Sequence, residues 1–144
     1  MIFQTEADFS AFAKKLGKDC PLPAVFELIG DVGAGKTTFV RAFAQGLGIK
    51  EPVTSPSFSI SNRYSFRYDS KTPAELIHYD FYRLDDPGLM SYELEEALSS
   101  SNSVVMIEWG DSIKTLLPDN ARTISIKALD DGSREITFTK KAKK

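Results

Sequence analysis

The sequence predicts an α/β fold: three layers, with helices on both faces of a central, mainly parallel sheet, and a β-hairpin at the C-terminal end. Three observations carry this. Residues 24–29, AVFELI, are an apolar, β-prone run that stops at Gly30 and gives way to a helical pattern, the strand-turn-helix order of α/β units. Residues 104–107, VVMI, are apolar without alternation, which suits a strand covered on both faces, as in parallel sheets. Residues 123–128 and 135–139 alternate, and Asp130-Asp131-Gly132-Ser133 joins them, which is a hairpin signature.

The elements follow in chain order. Thr5 opens a Thr-x-x-Asp variant of the capping box, and Phe9, Phe12, Ala13 and Leu16 recur at helical spacing before Gly17, so a helix is predicted over 6–16. After the strand at 24–29, Phe39, Val40, Phe43, Ala44 and Leu47 share one side of a helix, with Gly46 and Gly48 as stop signals. Val53-Thr54-Ser55-Pro56-Ser57-Phe58 holds a proline and three hydroxyl residues and reads as an ordered, irregular loop. Alternation from Phe58 to Tyr68 predicts a strand or hairpin arm, Asp69 to Pro73 a polar turn, and Glu75 to Tyr82 a returning strand. Leu89, Met90, Leu94, Ala97 and Leu98 set a helix over 87–100, with Glu93, Glu95 and Glu96 on its solvated face, and the serines of 99–103 break it. The VVMI strand and the hairpin complete the domain, and Lys140, Lys141, Lys143 and Lys144 read as a solvated end.

At 144 residues, 42% hydrophobic and 26% charged, the chain suffices for one core, so a single domain over 1–144 is expected. A net charge of -2 argues against a surface built to neutralise nucleic-acid phosphates, which makes any RNA contact indirect. A lone cysteine, Cys20, cannot form an internal disulfide and reads as structural, and the start MIFQTEADF lacks the marks of a signal peptide. Both features point to the cytoplasm. No apolar run approaches the roughly 20 residues that span a bilayer.

Residues 30–37, GDVGAGKT, match the phosphate-binding pattern G-x-x-x-x-G-K-[ST] in the strand-to-helix context that the motif requires, so the domain reads as a phosphate-loop NTPase that binds a nucleoside triphosphate with magnesium. Gly30, Gly33 and Gly35 lack Cβ atoms, which lets the backbone through Gly33, Ala34 and Gly35 turn its N–H groups toward phosphate oxygens. The following helix start adds unpaired N–H groups and a positive dipole end. Lys36 reaches the β and γ phosphates, Thr37 is the expected magnesium ligand, and Thr38 contacts the α phosphate. A second magnesium-side residue in such proteins is an acid ending a neighbouring strand; Glu108 ends VVMI and Asp80 ends ELIHY, and both would open at the carboxyl edge of a parallel sheet. Trp109, beside Glu108, could pack on the phosphate loop or face a partner. His78, the one histidine, reads as a structural hydrogen-bonding group or a proton relay.

GDVGAGKTTFVRAFAQGLG, VTSPSFS, HYDFYRLDDP and VVMIEWGD, in this order and with a Gly132-Ser133-Arg134-Glu135 turn, closely resemble the bacterial TsaE family over nearly the whole chain. That resemblance implies an ATPase of tRNA threonylcarbamoyladenosine biosynthesis working with TsaD and TsaB on tRNAs that read codons beginning with adenine. It further implies that Thr37 and Glu108 coordinate magnesium, that Thr54 is a switch residue, that Asp80 is needed for hydrolysis, and that Glu6 and Gly132 lie near the nucleotide base. Val32 stands where leucine is usual, and residues 88–98 match poorly.

The expected chemistry is attack of a positioned water on the γ-phosphate, with Lys36 and magnesium neutralising charge and Asp80 orienting the water. Arg63 and Arg83 are the candidate arginine fingers; if neither reaches the phosphate, hydrolysis is slow in isolation and partners stimulate it. Two other classes stay open: an assembly module switched by ATP binding through the VTSPSF loop, and a small kinase, which the absence of a lid or acceptor segment disfavours. The N-K-x-D guanine-reading pattern is absent.

Overall fold

A computed structural model of the chain describes residues 1–54, 61–81, 88, 90–109 and 114–140. The elements are β1 (Ile2–Phe3), α1 (Glu6–Lys18), β2 (Ala24–Ile29), α2 (Lys36–Leu47), β3 (Ser61–Tyr68), β4 (Thr72–Asp80), α3 (Met90–Ser99), β5 (Ser103–Glu108), β6 (Arg122–Ala128) and β7 (Arg134–Lys140). Seven strands form one sheet in the order β1-β7-β6-β2-β5-β4-β3. Its centre is parallel, β2 lying between β5 and β6 with β4 beyond β5. Both margins are antiparallel, through the β3–β4 and β6–β7 hairpins and the short β1 against β7. The parallel character is thus concentrated in the four strands that reach the site.

Alternation along the central strands separates two cores. Phe26, Leu28, Leu76, Val104 and Met106 pack with Phe9 and Ala13 of α1 and Phe39, Val40 and Phe43 of α2. The residues between them, Val25, Ile77, Tyr79, Val105 and Ile107, pack with Leu94 and Ala97 of α3 and with Leu117 and Ala121. Every residue of β5 is buried, because helices cover both of its faces and no polar face is left to alternate. That is the three-layer arrangement the sequence predicts.

Helix starts and stops follow local chemistry with two exceptions. Thr5 caps α1, its hydroxyl accepting from the Asp8 N–H at 3.1 Å, a contact that contributes about 1 kcal/mol. Gly48 ends α2 in the left-handed region, at φ 92°. Gly17 and Gly46, however, are not stops: α1 runs on to Lys18 and α2 to Leu47. They are where the two helices touch. A Cβ on Gly17 would lie 2.1 Å from the Phe43 carbonyl oxygen, and one on Gly46 2.0 Å from that of Lys14. Backbone meets backbone there, so only glycine fits.

Two strand boundaries also differ from expectation. Asp69 and Ser70 take positive φ and complete the β3–β4 turn quickly, so β4 starts at Thr72 and includes Pro73 near its first residue, where a missing N–H costs little. β1 was not foreseen; two residues are too few to show a period, and pairing with Arg134 and Glu135 of β7 defines them. β4 ends at Asp80, short of the expected Tyr82, and α3 begins at Met90 and not at 87, Gly88 standing before it in a turn at φ 51°. The expected extension of β3 back to Phe58 and the lysines at 141, 143 and 144 fall outside the described residues.

Candidate functional site

The carboxyl ends of β2, β4, β5 and β6 share one edge of the sheet, and the loop between β2 and α2 lies along it. Gly33 and Gly35 have φ of 85° and 113°, values that side chains other than glycine avoid, and they bend the loop into a concave turn. The Ala34 N–H donates to the Asp31 carbonyl at 3.0 Å, and the Ala34 methyl group is buried in the core beneath. Gly30 is needed for closeness, since a Cβ there would stand 2.6 Å from the Ile126 carbonyl oxygen of β6.

A cavity of about 390 Å³ opens over this loop. Gly33, Gly35, Lys36, Thr37 and Thr38 form its floor; Asp80, Glu108 and Trp109 line it from the strand ends, and Arg134 lines it as well. The structure therefore gathers Lys36, Thr37, Thr38, Asp80 and Glu108 from three separate stretches of sequence. Ala34 lies behind the cavity wall. Glu6 is exposed at the first position of α1 and Gly132 is in the β6–β7 turn at φ 87°; neither lines the cavity. Thr54 is exposed, and its backbone is tied to β3, its N–H donating to the Tyr64 hydroxyl at 3.2 Å and its carbonyl accepting from Asn62 at 3.2 Å. The rest of the VTSPSF loop, residues 55–58, lies outside the described residues, as do Tyr82, Arg83 and Asp111.

Lys36 is only 6% exposed, and its ammonium group donates to the carbonyls of Gly30 and, at 3.1 Å, Asp31. It also lies 4.6 Å from the centre of the Trp109 ring, a cation–π contact. The lysine is thus folded onto its own loop and covered by an indole. Trp109 has φ 58°, a strained conformation for a bulky residue, which persists only where surroundings fix it.

Glu108 closes β5 and is buried, with Oε2 2.5 Å from Nε2 of the wholly buried His78 on β4. With Glu108 as a carboxylate, which can only accept, the contact requires the imidazole proton on Nε2 as donor. His78 Nδ1 has no hydrogen-bond partner among the described residues. One carboxylate oxygen is therefore held by His78, and the side chain lines the cavity. Asp80 is paired in register with Glu108 on the neighbouring strand. Parity puts His78, Asp80 and Glu108 on the same sheet face as Leu76 and Met106, the face that α2 covers.

This donor set suits a hard divalent cation. Among the described residues no three His, Cys, Asp or Glu side chains gather into a metal cage. A hydroxyl at Thr37 and a carboxylate at Glu108 match the sparse protein ligation of magnesium, which takes its remaining ligands from water and phosphate.

Sequence reasoning missed Arg134. It considered Arg63, but that side chain is on β3 and pairs with Glu75 at 3.0 Å and Glu93 at 3.4 Å, away from the cavity. Arg134 opens β7 opposite Ala128, the last residue of β6. An antiparallel return from a parallel strand brings its first residue back to the carboxyl edge, a signal legible only once β6 is known to be parallel to β2.

Residues 3–136 match the family model described as threonylcarbamoyl adenosine biosynthesis protein TsaE. The chain is 43% identical over 115 residues to a tRNA threonylcarbamoyladenosine biosynthesis protein TsaE from Bacillus subtilis, covering 80% of this chain and 68% of the relative. It is 34% identical over 137 residues to the protein of the same name from Treponema pallidum, covering 94% and 96%. A crystal structure of Bacillus subtilis YdiB superposes with a TM-score of 0.75 at 34% identity, over 99% of this chain and 84% of that one.

Proposed function

The chain belongs to the TsaE family of threonylcarbamoyl adenosine biosynthesis proteins, and we propose that it serves that process by binding and hydrolysing Mg-ATP in the cavity above α2. On this reading it works with TsaD and TsaB to support threonylcarbamoyl transfer to adenosine 37 of tRNAs reading codons that begin with adenine, and touches the tRNA through that complex. One observation carries the proposal: the bent GDVGAGKT loop, its buried lysine and the strand-end acids Asp80 and Glu108 all line one cavity.

The residues divide the work. Loop N–H groups and the start of α2 bind phosphate oxygens. Lys36 leaves the Gly30 and Asp31 carbonyls for the β and γ phosphates, trading two neutral acceptors for charged ones. Thr37 and Glu108 hold magnesium, which when bound offsets charge on the transferring phosphoryl group. Asp80 accepts a hydrogen bond from the attacking water and orients it. Among the described residues, which do not include Arg83, no arginine stands on the Glu108 side of the cavity; on the reading that the chain supplies none, turnover in isolation is slow and partner proteins that bring one raise it by about 10³-fold or more.

Trp109 is the single tryptophan and lies against Lys36, so its fluorescence reports the movement of that side chain. The wild-type protein is expected to change emission saturably with Mg-ATP and to release phosphate faster when TsaD and TsaB are added. Lys36→Ala is expected to abolish phosphate release and the support of tRNA modification by purified components. No saturable response and no heat of binding in calorimetry would dismiss the nucleotide reading; turnover indifferent to TsaD and TsaB would dismiss the partners.

A further inference from the structure

We propose that Arg134 binds the phosphate chain of the nucleotide at the end away from the metal, an inference that rests on the Mg-ATP reading above. Arg134 lines the same cavity as Gly33, Gly35, Lys36 and Thr38. Its contact with the loop is direct: a Cβ on Gly35 would meet Nε, Cδ and Cζ of Arg134 at 3.1–3.3 Å. Gly35 therefore serves twice, once for its positive φ and once for leaving room for a guanidinium group beside the cradle.

The half-buried guanidinium group is placed, but its Nε is not satisfied. Its carbon lies 5.5 Å from the ring centre of Phe9, a fully buried side chain of α1, so an apolar wall sets its orientation. Among the described residues its buried Nε has no hydrogen-bond partner and no carboxylate pairs with the group. A buried cationic donor without an acceptor is costly, and this one adjoins a cavity whose floor is shaped for phosphate. An arriving phosphate oxygen would supply the acceptor.

Sheet order decides which phosphate. Arg134 is on β7 and Glu108 on β5, on opposite sides of β2. At a strand spacing of about 4.8 Å these two strands are about 14 Å apart. The acids mark the metal end, where the γ-phosphate is attacked. Arg134 marks the other, toward the α-phosphate, and so it acts as a binding residue shared by ATP and ADP and not as an arginine finger.

The test compares wild type, Arg134→Met and Arg134→Lys by calorimetry with Mg-ADP and Mg-ATP, by steady-state hydrolysis, and by thermal unfolding. Methionine keeps an apolar stem over Phe9 and removes the charge. Arg134→Met is expected to weaken ADP and ATP binding alike, by about ten-fold or more, the effect of losing a hydrogen bond to a charged group. KM should rise in parallel while kcat falls no more than about three-fold, because uniform binding is lost. Arg134→Lys should recover part of the affinity. Unchanged ADP affinity with kcat down by about 10³-fold would overturn the proposal in favour of a γ-phosphate finger. Unchanged affinity and unchanged kcat, with a lowered melting temperature, would reduce Arg134 to a cover for Phe9. If the wild type itself bound neither nucleotide, the parent reading would fail instead.

Discussion

Replacing Gly46 by alanine sets two effects of opposite sign against each other. Alanine in a helix interior is favoured over glycine by about 1 kcal/mol, so at an exposed position the change would stabilise α2. Here the new Cβ would stand 2.0 Å from the Lys14 carbonyl oxygen and 2.7 Å from the Lys18 nitrogen, both backbone atoms of α1 that no rotamer change can move. Reaching tolerable contact requires the helices to part by about 1 Å, and a gap of that size forfeits a quarter to a half of each dispersion contact it spans. Phe9 and Phe43, both fully buried, lie in the core these helices share. Giving up about a quarter of the contacts of one such ring costs about 2 kcal/mol, and partial loss at the second brings the total to about 3 kcal/mol. Net of propensity, Gly46→Ala should destabilise by about 2 kcal/mol and lower the melting temperature by about 6 °C. Thermal and urea unfolding would measure this. A melting temperature unchanged or raised by about 3 °C would refute the close approach, because propensity alone would then be operating.

Two further outcomes are expected. His78→Phe removes the donor to Glu108 and leaves a buried carboxylate short of one partner, so stability should fall by about 2 kcal/mol and the magnesium concentration needed for half-maximal nucleotide binding should rise several-fold; a variant matching wild type in magnesium titrations would reduce the contact to packing. Burial pushes the Cys20 thiol up to about 11, against a smaller opposing pull from Arg122. Its stabilising contribution is complete below the unfolded value near 9 and is lost as pH rises toward about 11, so the wild type should lose up to about 1.4 kcal/mol per pH unit relative to Cys20→Ala through that window. Urea midpoints of the two proteins that fell in parallel from pH 8 to pH 10.5 would contradict that.

What was legible in the sequence was what local chemistry determines. The strand at 24–29, the glycine-bent turn after it, the all-apolar strand at 104–107, the Thr5 cap and the closing hairpin each announce themselves within a dozen residues, because period and turn chemistry are short-range properties. That Asp80 and Glu108 stand at the cavity was legible for a related reason: an acid ending an apolar run must emerge at a sheet edge. Long-range relations were not legible. Gly17 and Gly46 looked like helix ends because a glycine near a helix terminus has the same local signature whether it breaks the helix or admits a neighbour. β1 exists only through its pairing with β7. Arg134 was hidden because its place depends on β6 lying parallel beside β2, a matter of strand order that no local pattern encodes.

The site owes its composition to parity. Val104 and Met106 pack beneath α2, so Glu108, two residues on, must face the same side; Leu76 imposes the same on His78 and Asp80. A one-residue slip of β5 would send Glu108 to the α3 side, away from the loop, and bury a carboxylate in the second core. Packing of the α2 core therefore fixes the register and keeps the acids beside the GDVGAGKT loop. Trp109 is where that alternation ends. An odd-numbered residue belongs to the α3 face, and Trp109 does pack against that core, yet its left-handed backbone also brings the indole to Lys36. The side chain thus connects the second core to the lysine on which the proposed chemistry depends. Withdrawal of Lys36 toward a phosphate would cost the indole its cation and leave the strain at φ 58° without that compensation. On the proposed Mg-ATP reading, the residue after Glu108 is consequently the natural place for nucleotide binding to be felt on the α3 face of the sheet.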